Sequence, residues 1–165
     1  SLLARFLTLP VPTAAAVVGH AFGAGAMLAI AHDYRVMRAD RGFFCFPEVD
    51  IRIPFTAGMA ALIQAKLTPQ AAVASMTTGR RFGGVEACEY GLVDATAAEP
   101  SVDADVAAGR DRLADAVQRR GRTRVDVVGE YIGDCLDLRA ASPTSAAGPK
   151  RWPGWTRPSP DGRAG

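Results

Sequence analysis

The sequence predicts an α/β protein built in layers, and three observations support this class. A short, uniformly apolar run over residues 14–18 is typical of a strand buried on both faces. It leads into glycines at positions 19, 23 and 25, after which residues 24–31 have the composition of an apolar helix. Further strand-like and helix-like segments then alternate along the chain. Such alternation places functional residues at the loops that join strands to helices.

The remaining elements follow from local signals. Pro10 ends a helix over residues 2–7, because proline disfavours helix at its own position and at the one before it. Thr56 is the predicted N-cap of a helix that runs to residue 66, and Thr68, with Pro69 at the first helical position, opens another that runs to residue 76. We also predict strands at residues 34–37, 42–46 and 92–95, a turn at residues 40–42, and helices at residues 85–90 and 104–117.

Composition excludes several classes of protein. With 165 residues, 48% of them hydrophobic and 22% charged, the chain matches an average globular domain rather than a collagen, a coiled coil or a disordered chain. The three cysteines lack CxxC spacing, so neither a disulfide framework nor a zinc site is predicted. The sequence contains no run of about 18 apolar residues of the kind that spans a membrane. It also lacks the basic stripe interleaved with aromatic residues that is typical of nucleic-acid binding. The sequence therefore predicts a soluble, cytoplasmic protein with no metal and no membrane or nucleic-acid partner.

The chain divides into two parts of different character. Residues 1–118 alternate apolar runs with turns, whereas residues 119–165 are rich in Arg, Gly, Pro and Ser and contain only brief apolar stretches. Five prolines fall within residues 140–165. A segment of this composition cannot offset an ordering entropy of about 1–2 kcal/mol per residue. We therefore expect one α/β domain over residues 1–118 and a poorly ordered tail over residues 119–165.

The glycine-rich loop at residues 19–25 is one candidate site. It follows a strand and opens a helix, which directs backbone N–H groups and the positive end of the helix dipole at one point. The glycine spacing of four and two fits neither the dinucleotide fingerprint nor the phosphate-binding loop of nucleotide hydrolases. Two interpretations remain: an oxyanion hole, or close packing of small residues before a buried helix.

Glu48 is the second candidate. It follows Pro47 and an aromatic run over residues 43–46, so its carboxylate emerges from an apolar stretch. A carboxyl group in apolar surroundings is suited to proton transfer at neutral pH. The alternative is a structural role in a cap or an ion pair, for example with Arg52. His20 and Asp50 are weaker candidates for chemistry, and Asp33 is expected to bond backbone groups near the end of its helix.

Taken together, these segments resemble the enoyl-CoA hydratase/isomerase, or crotonase, family. The resemblance covers roughly residues 9–95 and rests on the ordered motifs GHAFGAGAMLAIAHDYRVMRAD, FPEV, the Pro54-x-x-x-Gly58 pair and TGRRFGGVEACEYGLVD. It implies a spiral of ββα units that binds acyl-CoA thioesters and stabilises a thioester enolate with two backbone N–H groups. One of those donors falls on Ala24, and Gly23 and Gly25 would flank it and let the backbone approach the substrate.

The resemblance also implies a reaction. Hydratases of the family use two glutamates, and here the first position holds Met27 while the second holds Glu48. A single carboxylate in the Pro-Glu motif resembles the Δ3,Δ2-enoyl-CoA isomerases of fatty acid metabolism, in which one base moves a proton from C2 to C4. Glu48 and Ala24 are then the expected catalytic groups, with Gly23, Gly25, Met27 and Phe46 contacting substrate, and no cofactor is needed.

The chain also departs from the family pattern. The segment that carries the other oxyanion donor in the family would precede Ser1, and the helices that cover the acyl pocket are not recognisable after about residue 117. We therefore expect an incomplete crotonase-like fragment with an atypical tail. A hydratase, or an inactive subunit that associates with intact paralogues, is the alternative function. The family assembles as trimers or dimers of trimers, so a homotrimer or hexamer is expected.

Overall fold

The computed structural model describes residues 2–119 and confirms the α/β class. The predicted tail lies outside the described residues, apart from Arg119 at the end of the last helix. The helices are α1 (Leu2–Leu7), α2 (Ala24–Ala31), α3 (Ala57–Lys66), α4 (Pro69–Thr78), α5 (Gly84–Glu89) and α6 (Val102–Arg119), with a 3₁₀ turn at Glu99–Ser101. The strands are β1 (Ala14–Val17), β2 (Ala21–Phe22), β3 (Tyr34–Arg38), β4 (Phe44–Cys45) and β5 (Ala95–Ala97).

Two parallel sheets organise the described residues. The larger sheet has the order β1–β3–β5, with Ala14 opposite Tyr34 and Val36 opposite Ala95. The smaller sheet pairs β2 with β4, with Ala21 opposite Phe44. The turn predicted at residues 40–42 therefore connects strands of different sheets and does not join two neighbouring strands.

Two predicted strand boundaries are corrected. The strand expected at residues 92–95 begins only at Ala95, because the Leu92 and Val93 N–H groups both donate to the Ala87 carbonyl and so close the end of α5. The strand expected at residues 42–46 shortens to Phe44–Cys45. Strand β2 was not predicted, since its two residues lie inside the glycine-rich loop.

The helix starts at Thr56 and Thr68 are confirmed. The Thr56 hydroxyl accepts a hydrogen bond from the Met59 N–H at 3.3 Å, and the Thr68 hydroxyl accepts one from the Ala71 N–H at 3.2 Å. Each bond satisfies one of the N–H groups that a helix leaves unpaired in its first turn. The bonds fix where α3 and α4 begin.

The core lies between α2, the two sheets and helices α3 to α5. Its largest fully buried side chains are aromatic or long aliphatic: Phe44, Phe46, Phe82, Met27, Ile30, Met37 and Ile63. Helix α2 contributes small residues as well, with Ala26 and Ala31 fully buried. This packing places the beginning of α2 beside the smaller sheet.

Gly42 allows the segment before β4 to approach Gly19, at the beginning of the glycine-rich loop. Its φ is +91°, and a Cβ atom there would lie 2.1 Å from the Gly19 carbonyl oxygen. We expect Gly42→Ala to lower the free energy of unfolding by at least about 1–2 kcal/mol, which is the cost of a left-handed conformation for a residue with a Cβ. The matched control is Gly58→Ala in α3, where nothing lies within 4 Å. Urea unfolding of both variants measures the difference, and equal stabilities would contradict this packing.

Candidate functional site

The parallel pairing of β2 with β4 brings the two candidate segments together. The carboxyl ends of parallel neighbours lie at the same edge of a sheet, so the loop before α2 and the Pro47–Glu48 segment emerge side by side. The Gly23 N–H donates to the Cys45 carbonyl at 3.1 Å. A Cβ atom on Gly23 would lie 3.9 Å from the Pro47 ring, so the two segments are in direct contact.

Ala24 is the first residue of α2 and is exposed. The preceding Gly23 has a φ of +50° and caps the helix without a side-chain hydrogen bond. The Gly23 carbonyl accepts from the Met27 N–H at 2.9 Å, which closes the first helical turn. The N–H groups of a first turn lack partners within the helix and carry the positive end of its dipole. The Ala24 N–H therefore has the geometry of a donor to an anionic oxygen.

Glu48 is buried beside this helix start. Its residue is only 5% exposed, and its Oε2 atom has no hydrogen-bond partner among residues 2–119. The alternative of an ion pair with Arg52 is wrong for the described residues, because the salt bridges there do not include Glu48 and Arg52 is exposed. Leaving a buried polar atom unpaired costs about 1–3 kcal/mol, so such an atom calls for an explanation.

The backbone around Glu48 is tightly turned. The Asp50 and Ile51 N–H groups both donate to the Pro47 carbonyl, at 2.9 and 3.1 Å. The Ile53 N–H donates to the Glu48 carbonyl at 2.9 Å, and Arg52 reaches a φ of +56° between them. The turn fixes the Glu48 main chain by its own hydrogen bonds.

Met27 and Phe46 form part of the apolar surroundings. Met27 is 1% exposed and Phe46 is fully buried, and both belong to the core. The Phe46 ring packs edge-on against two other rings, and its centroid lies 5.6 Å from that of Phe44 and 6.1 Å from that of Phe55. Contact of Met27 and Phe46 with a substrate stays a prediction, as does contact of Gly23 and the exposed Gly25.

The weaker candidates occupy structural positions. His20 lies immediately before β2, at the end away from Gly23, and its exposed ring stacks on Phe43 with centroids 5.7 Å apart. The Asp33 carboxylate accepts from the Thr13 N–H at 2.8 Å and from the Thr13 hydroxyl at 2.9 Å. Asp33 therefore accepts a hydrogen bond from a backbone N–H, as expected, but that N–H belongs to the residue just before β1.

The two arginines of the TGRR motif are exposed and pack on aromatic rings. Arg80 forms an ion pair with Glu86, and its guanidinium carbon lies 5.3 Å from the centroids of both Phe82 and Tyr90. Arg81 lies over the Phe22 ring at 5.7 Å. Cation–π contacts at exposed sites contribute about 0.5–1 kcal/mol each, so these arginines help to hold the loop against the neighbouring rings.

Cys45 was not predicted to take part in the site. It lies in β4, it is 1% exposed, and its Sγ–H donates to the Gly79 carbonyl at 3.2 Å. Burial raises the pKa of the Cys45 thiol, with the nearby Asp50 and Glu48 charges adding to the effect. The thiol is therefore a hydrogen-bond donor at neutral pH.

We expect Cys45 to react with iodoacetamide at neutral pH far more slowly than the half-buried Cys88 of α5. Alkylation requires the thiolate, and both the raised pKa and the burial of Cys45 suppress it. Peptide mass spectrometry after timed labelling compares the two sites, with labelling in urea as the control. Equal rates in the native protein would show that Cys45 is accessible.

In residues 2–119, His, Cys, Asp and Glu side chains do not gather into a group of three that could hold a metal ion. Nor do the helices in this range include one long and apolar enough to cross a membrane.

The fold and the paired loops define an α/β protein in which a helix N-terminus and a buried carboxylate lie at the same edge of a parallel sheet. Comparison identifies the family: residues 1–126 match the model for enoyl-CoA hydratase/isomerase. The chain belongs to this family, which confirms the resemblance drawn from its motifs.

Curated relatives are similar over part of their length. Enoyl-CoA delta isomerase 3 of Arabidopsis thaliana is 41% identical over 116 residues, which are 68% of this chain and 49% of the relative. Carnitinyl-CoA dehydratase of Escherichia coli K12 is 40% identical over 94 residues, or 56% of this chain and 35% of the relative. The chain spans about half the length of the curated isomerases it matches.

Solved structures confirm the crotonase fold. An enoyl-CoA hydratase from Mycobacterium ulcerans Agy99 superposes with a TM-score of 0.70 at 23% identity, covering 82% of this chain and 58% of that one. An enoyl-CoA isomerase from Mycobacterium tuberculosis gives a TM-score of 0.65 at 22% identity, covering 86% and 64%. At these identities the likeness establishes the fold alone.

Proposed function

We propose that this chain acts on enoyl-CoA thioesters as an isomerase, moving a C=C bond between the 3 and 2 positions, with Glu48 as the base. The observation that carries the proposal is the buried Glu48 carboxylate, whose Oε2 atom lacks a partner in the described residues. The segment that carries Glu48 lies beside the N-terminus of α2, because β2 and β4 pair in parallel. A reaction that moves one proton next to a thioester carbonyl would use both groups.

The proposed reaction has two steps. Glu48 accepts the proton from C2 of a 3-enoyl-CoA, and the electron pair of that C–H bond delocalises onto the thioester oxygen and gives a dienolate. The same carboxylic acid then delivers the proton to C4, which forms the 2,3 double bond and restores the carboxylate. A positioned general acid–base group contributes about 100- to 10,000-fold to such transfers.

Ala24 is the proposed donor to the enolate oxygen. As the first residue of α2 it presents a backbone N–H that no side chain caps. One oxyanion donor of this kind contributes about 2.7–4 kcal/mol of transition-state stabilisation. Gly23 has a φ of +50°, which glycine adopts without strain, so it allows the backbone to turn into α2 at this point.

Hydration is the competing reaction, and the similarity to carnitinyl-CoA dehydratases favours keeping it as a second candidate. Water addition in the family uses two carboxylates. The position of the first holds Met27, whose thioether cannot carry a proton and which is buried in the core. Isomerisation by the one carboxylate that remains is therefore the better supported proposal, in agreement with the isomerase relatives.

Assembly and location also remain proposals. We keep the homotrimer or hexamer expected from the family, and the alternative of an inactive subunit that associates with intact paralogues. Copurification with a full-length relative, without turnover by the chain alone, would favour that alternative. Two of the isomerase relatives are named peroxisomal, so a peroxisomal location competes with the predicted cytoplasmic one.

Supplying the purified 165-residue chain with a 3-enoyl-CoA and, separately, with a 2-enoyl-CoA tests the proposal. Chromatography separates the isomerised thioester from the 3-hydroxyacyl product of hydration. We expect 2-enoyl-CoA from the first substrate and no hydroxyacyl product from the second. A hydroxyacyl product as the main outcome would assign hydration instead.

A further inference from the structure

We infer that Arg52 is a substrate-binding residue whose guanidinium contacts a phosphate group of the CoA part of the substrate. The inference rests on the proposed function, since it takes an acyl-CoA as the substrate. Arg52 lies in the turn that carries Glu48, and the Ile53 N–H that follows it donates to the Glu48 carbonyl at 2.9 Å. Its backbone conformation, its lack of a partner in the described structure and its position support the inference.

The backbone of Arg52 is left-handed. Its φ is +56°, and among the described residues it is the only one other than glycine with a positive φ. A residue with a Cβ adopts this conformation at a cost that glycine does not incur. The turn would therefore form more easily with glycine at this position. Strained backbone of this kind is found most often at functional sites, where the side chain has a role that the fold itself does not require.

The Arg52 side chain is exposed, and within residues 2–119 it takes no part in an ion pair or a side-chain hydrogen bond. The exposed acid of the same turn, Asp50, has its carboxylate against Gly79 instead. The neighbours on either side, Ile51 and Ile53, are apolar and more than half exposed. The positive charge of Arg52 is thus not used within the described structure and is available to an anion.

The position of Arg52 indicates which anion this is. The turn follows the carboxyl end of β4, at the edge where the N-terminus of α2 also lies. Glu48 is buried and Arg52 is exposed, so a substrate whose reacting carbons reach Glu48 leaves its solvated end near Arg52. The acyl chain of an enoyl-CoA is uncharged, whereas the CoA part carries a diphosphate and a ribose 3′-phosphate. The fork of N–H donors on a guanidinium matches phosphate oxygens.

Calorimetric titration of the purified 165-residue chain with CoA itself tests the inference without turnover. We expect Arg52→Gly to weaken CoA binding about 10-fold, the lower end of the range for a hydrogen bond to a charged group. Binding of pantetheine, which has the same thiol arm and no phosphate, should not change. The loss should shrink at high salt, because exposed charges are screened. Equal weakening for CoA and pantetheine would overturn the inference.

Arg41→Gly is the matched control. Arg41 is also exposed and outside the ion pairs of the described residues, but it precedes β4 and so lies at the opposite end of that strand from Arg52. The substitution changes the net charge equally and should leave CoA affinity unchanged, and an equal loss would reject a specific contact. Dephospho-CoA identifies the group: a loss in Arg52→Gly that persists assigns the diphosphate, and one that disappears assigns the 3′-phosphate.

Other substitutions at the same position separate charge from backbone flexibility. Arg52→Gly relieves the left-handed strain, so it should unfold at a urea concentration at least as high as the wild type. Arg52→Asn tolerates this backbone and carries no charge, so it should lose CoA affinity as Arg52→Gly does. Arg52→Lys keeps the charge and should recover part of the affinity. Wild-type affinity in Arg52→Asn would show that flexibility caused the loss in Arg52→Gly, and would overturn the inference.

Turnover distinguishes this inference from the proposed function. Arg52→Gly should raise KM for a 3-enoyl-CoA with little change in kcat, because the contact is remote from the reacting carbons and is made equally in the ground and transition states. A chain that binds CoA through Arg52 but does not isomerise would retain the phosphate contact and reject the proposed function. An isomerase whose KM and CoA affinity are unchanged in Arg52→Gly would reject the phosphate contact alone.

Discussion

Replacing Glu48 with glutamine is expected to lower isomerase kcat by about 100- to 10,000-fold while acyl-CoA binding stays nearly intact. Glutamine keeps the shape of the side chain and removes only its ability to accept a proton. The Oε2 atom, which lacks a partner within the described part of the chain, becomes an amide or carbonyl group in the same buried position. Calorimetric titration with a non-reacting acyl-CoA, beside the turnover assay, measures both quantities.

Glu89→Gln is the matched control, because it makes the same change at an exposed position of α5. It should retain wild-type turnover and binding. Circular dichroism of both variants establishes that each remains folded. Wild-type kcat in a folded Glu48→Gln protein would remove Glu48 as the base and leave only the family assignment.

The largest effect on stability is expected from Asp94→Ala. The Arg35 Nε and Nη2 atoms donate to the two Asp94 oxygens at 2.9 and 3.0 Å, with side chains only 6% and 9% exposed. The Arg35 Nη1 atom already lacks a partner in the described residues. Removing the carboxylate would leave a buried, uncompensated guanidinium, so we expect a loss of about 3–5 kcal/mol in the free energy of unfolding.

Asp40→Ala provides the comparison for that variant. Asp40 also pairs with a buried arginine, Arg38, but its own side chain is 62% exposed, and Glu99 offers Arg38 a second partner. Its removal should therefore change stability far less. Urea unfolding of the two variants measures the difference, and similar losses would show that the burial of the Arg35–Asp94 pair is not what stabilises it.

Local signals in the sequence predicted the helices well. Thr56 and Thr68 cap α3 and α4 as expected, and the predicted bounds of α2 coincide with the observed Ala24–Ala31. Each of these signals acts within about four residues of the position it determines. Hydrogen bonds of that range are encoded by neighbouring side chains and need no knowledge of the remaining fold.

Strand pairing was less accessible because it depends on residues far apart in sequence. Strand β2 has only two residues and pairs with β4, more than twenty positions later. The Arg35–Asp94 pair spans 59 positions, and the contact between Cys45 and Gly79 spans 34. Sequence periodicity marks which residues are buried, but it does not specify which buried partner each one meets.

In the candidate site, too, the sequence indicated the residue types but not the long-range contacts between them. Chemistry alone left the glycine loop open between close packing and an oxyanion hole, and left Glu48 open between a base and an ion pair. The family resemblance selected Ala24 and Glu48, and the described structure places their segments on paired parallel strands. The aromatic run before Glu48 could not show that its Oε2 atom is buried without a partner among residues 2–119.

The most direct test of the central claim follows the transferred hydrogen itself. The chain is incubated with a 3-enoyl-CoA deuterated at C2, and the product is analysed by NMR. If the single buried carboxylate of Glu48 carries the proton, the product is a 2-enoyl-CoA with part of the deuterium at C4. A product whose C4 hydrogen derives wholly from solvent, or a 3-hydroxyacyl-CoA, would contradict proton transfer by Glu48 alone.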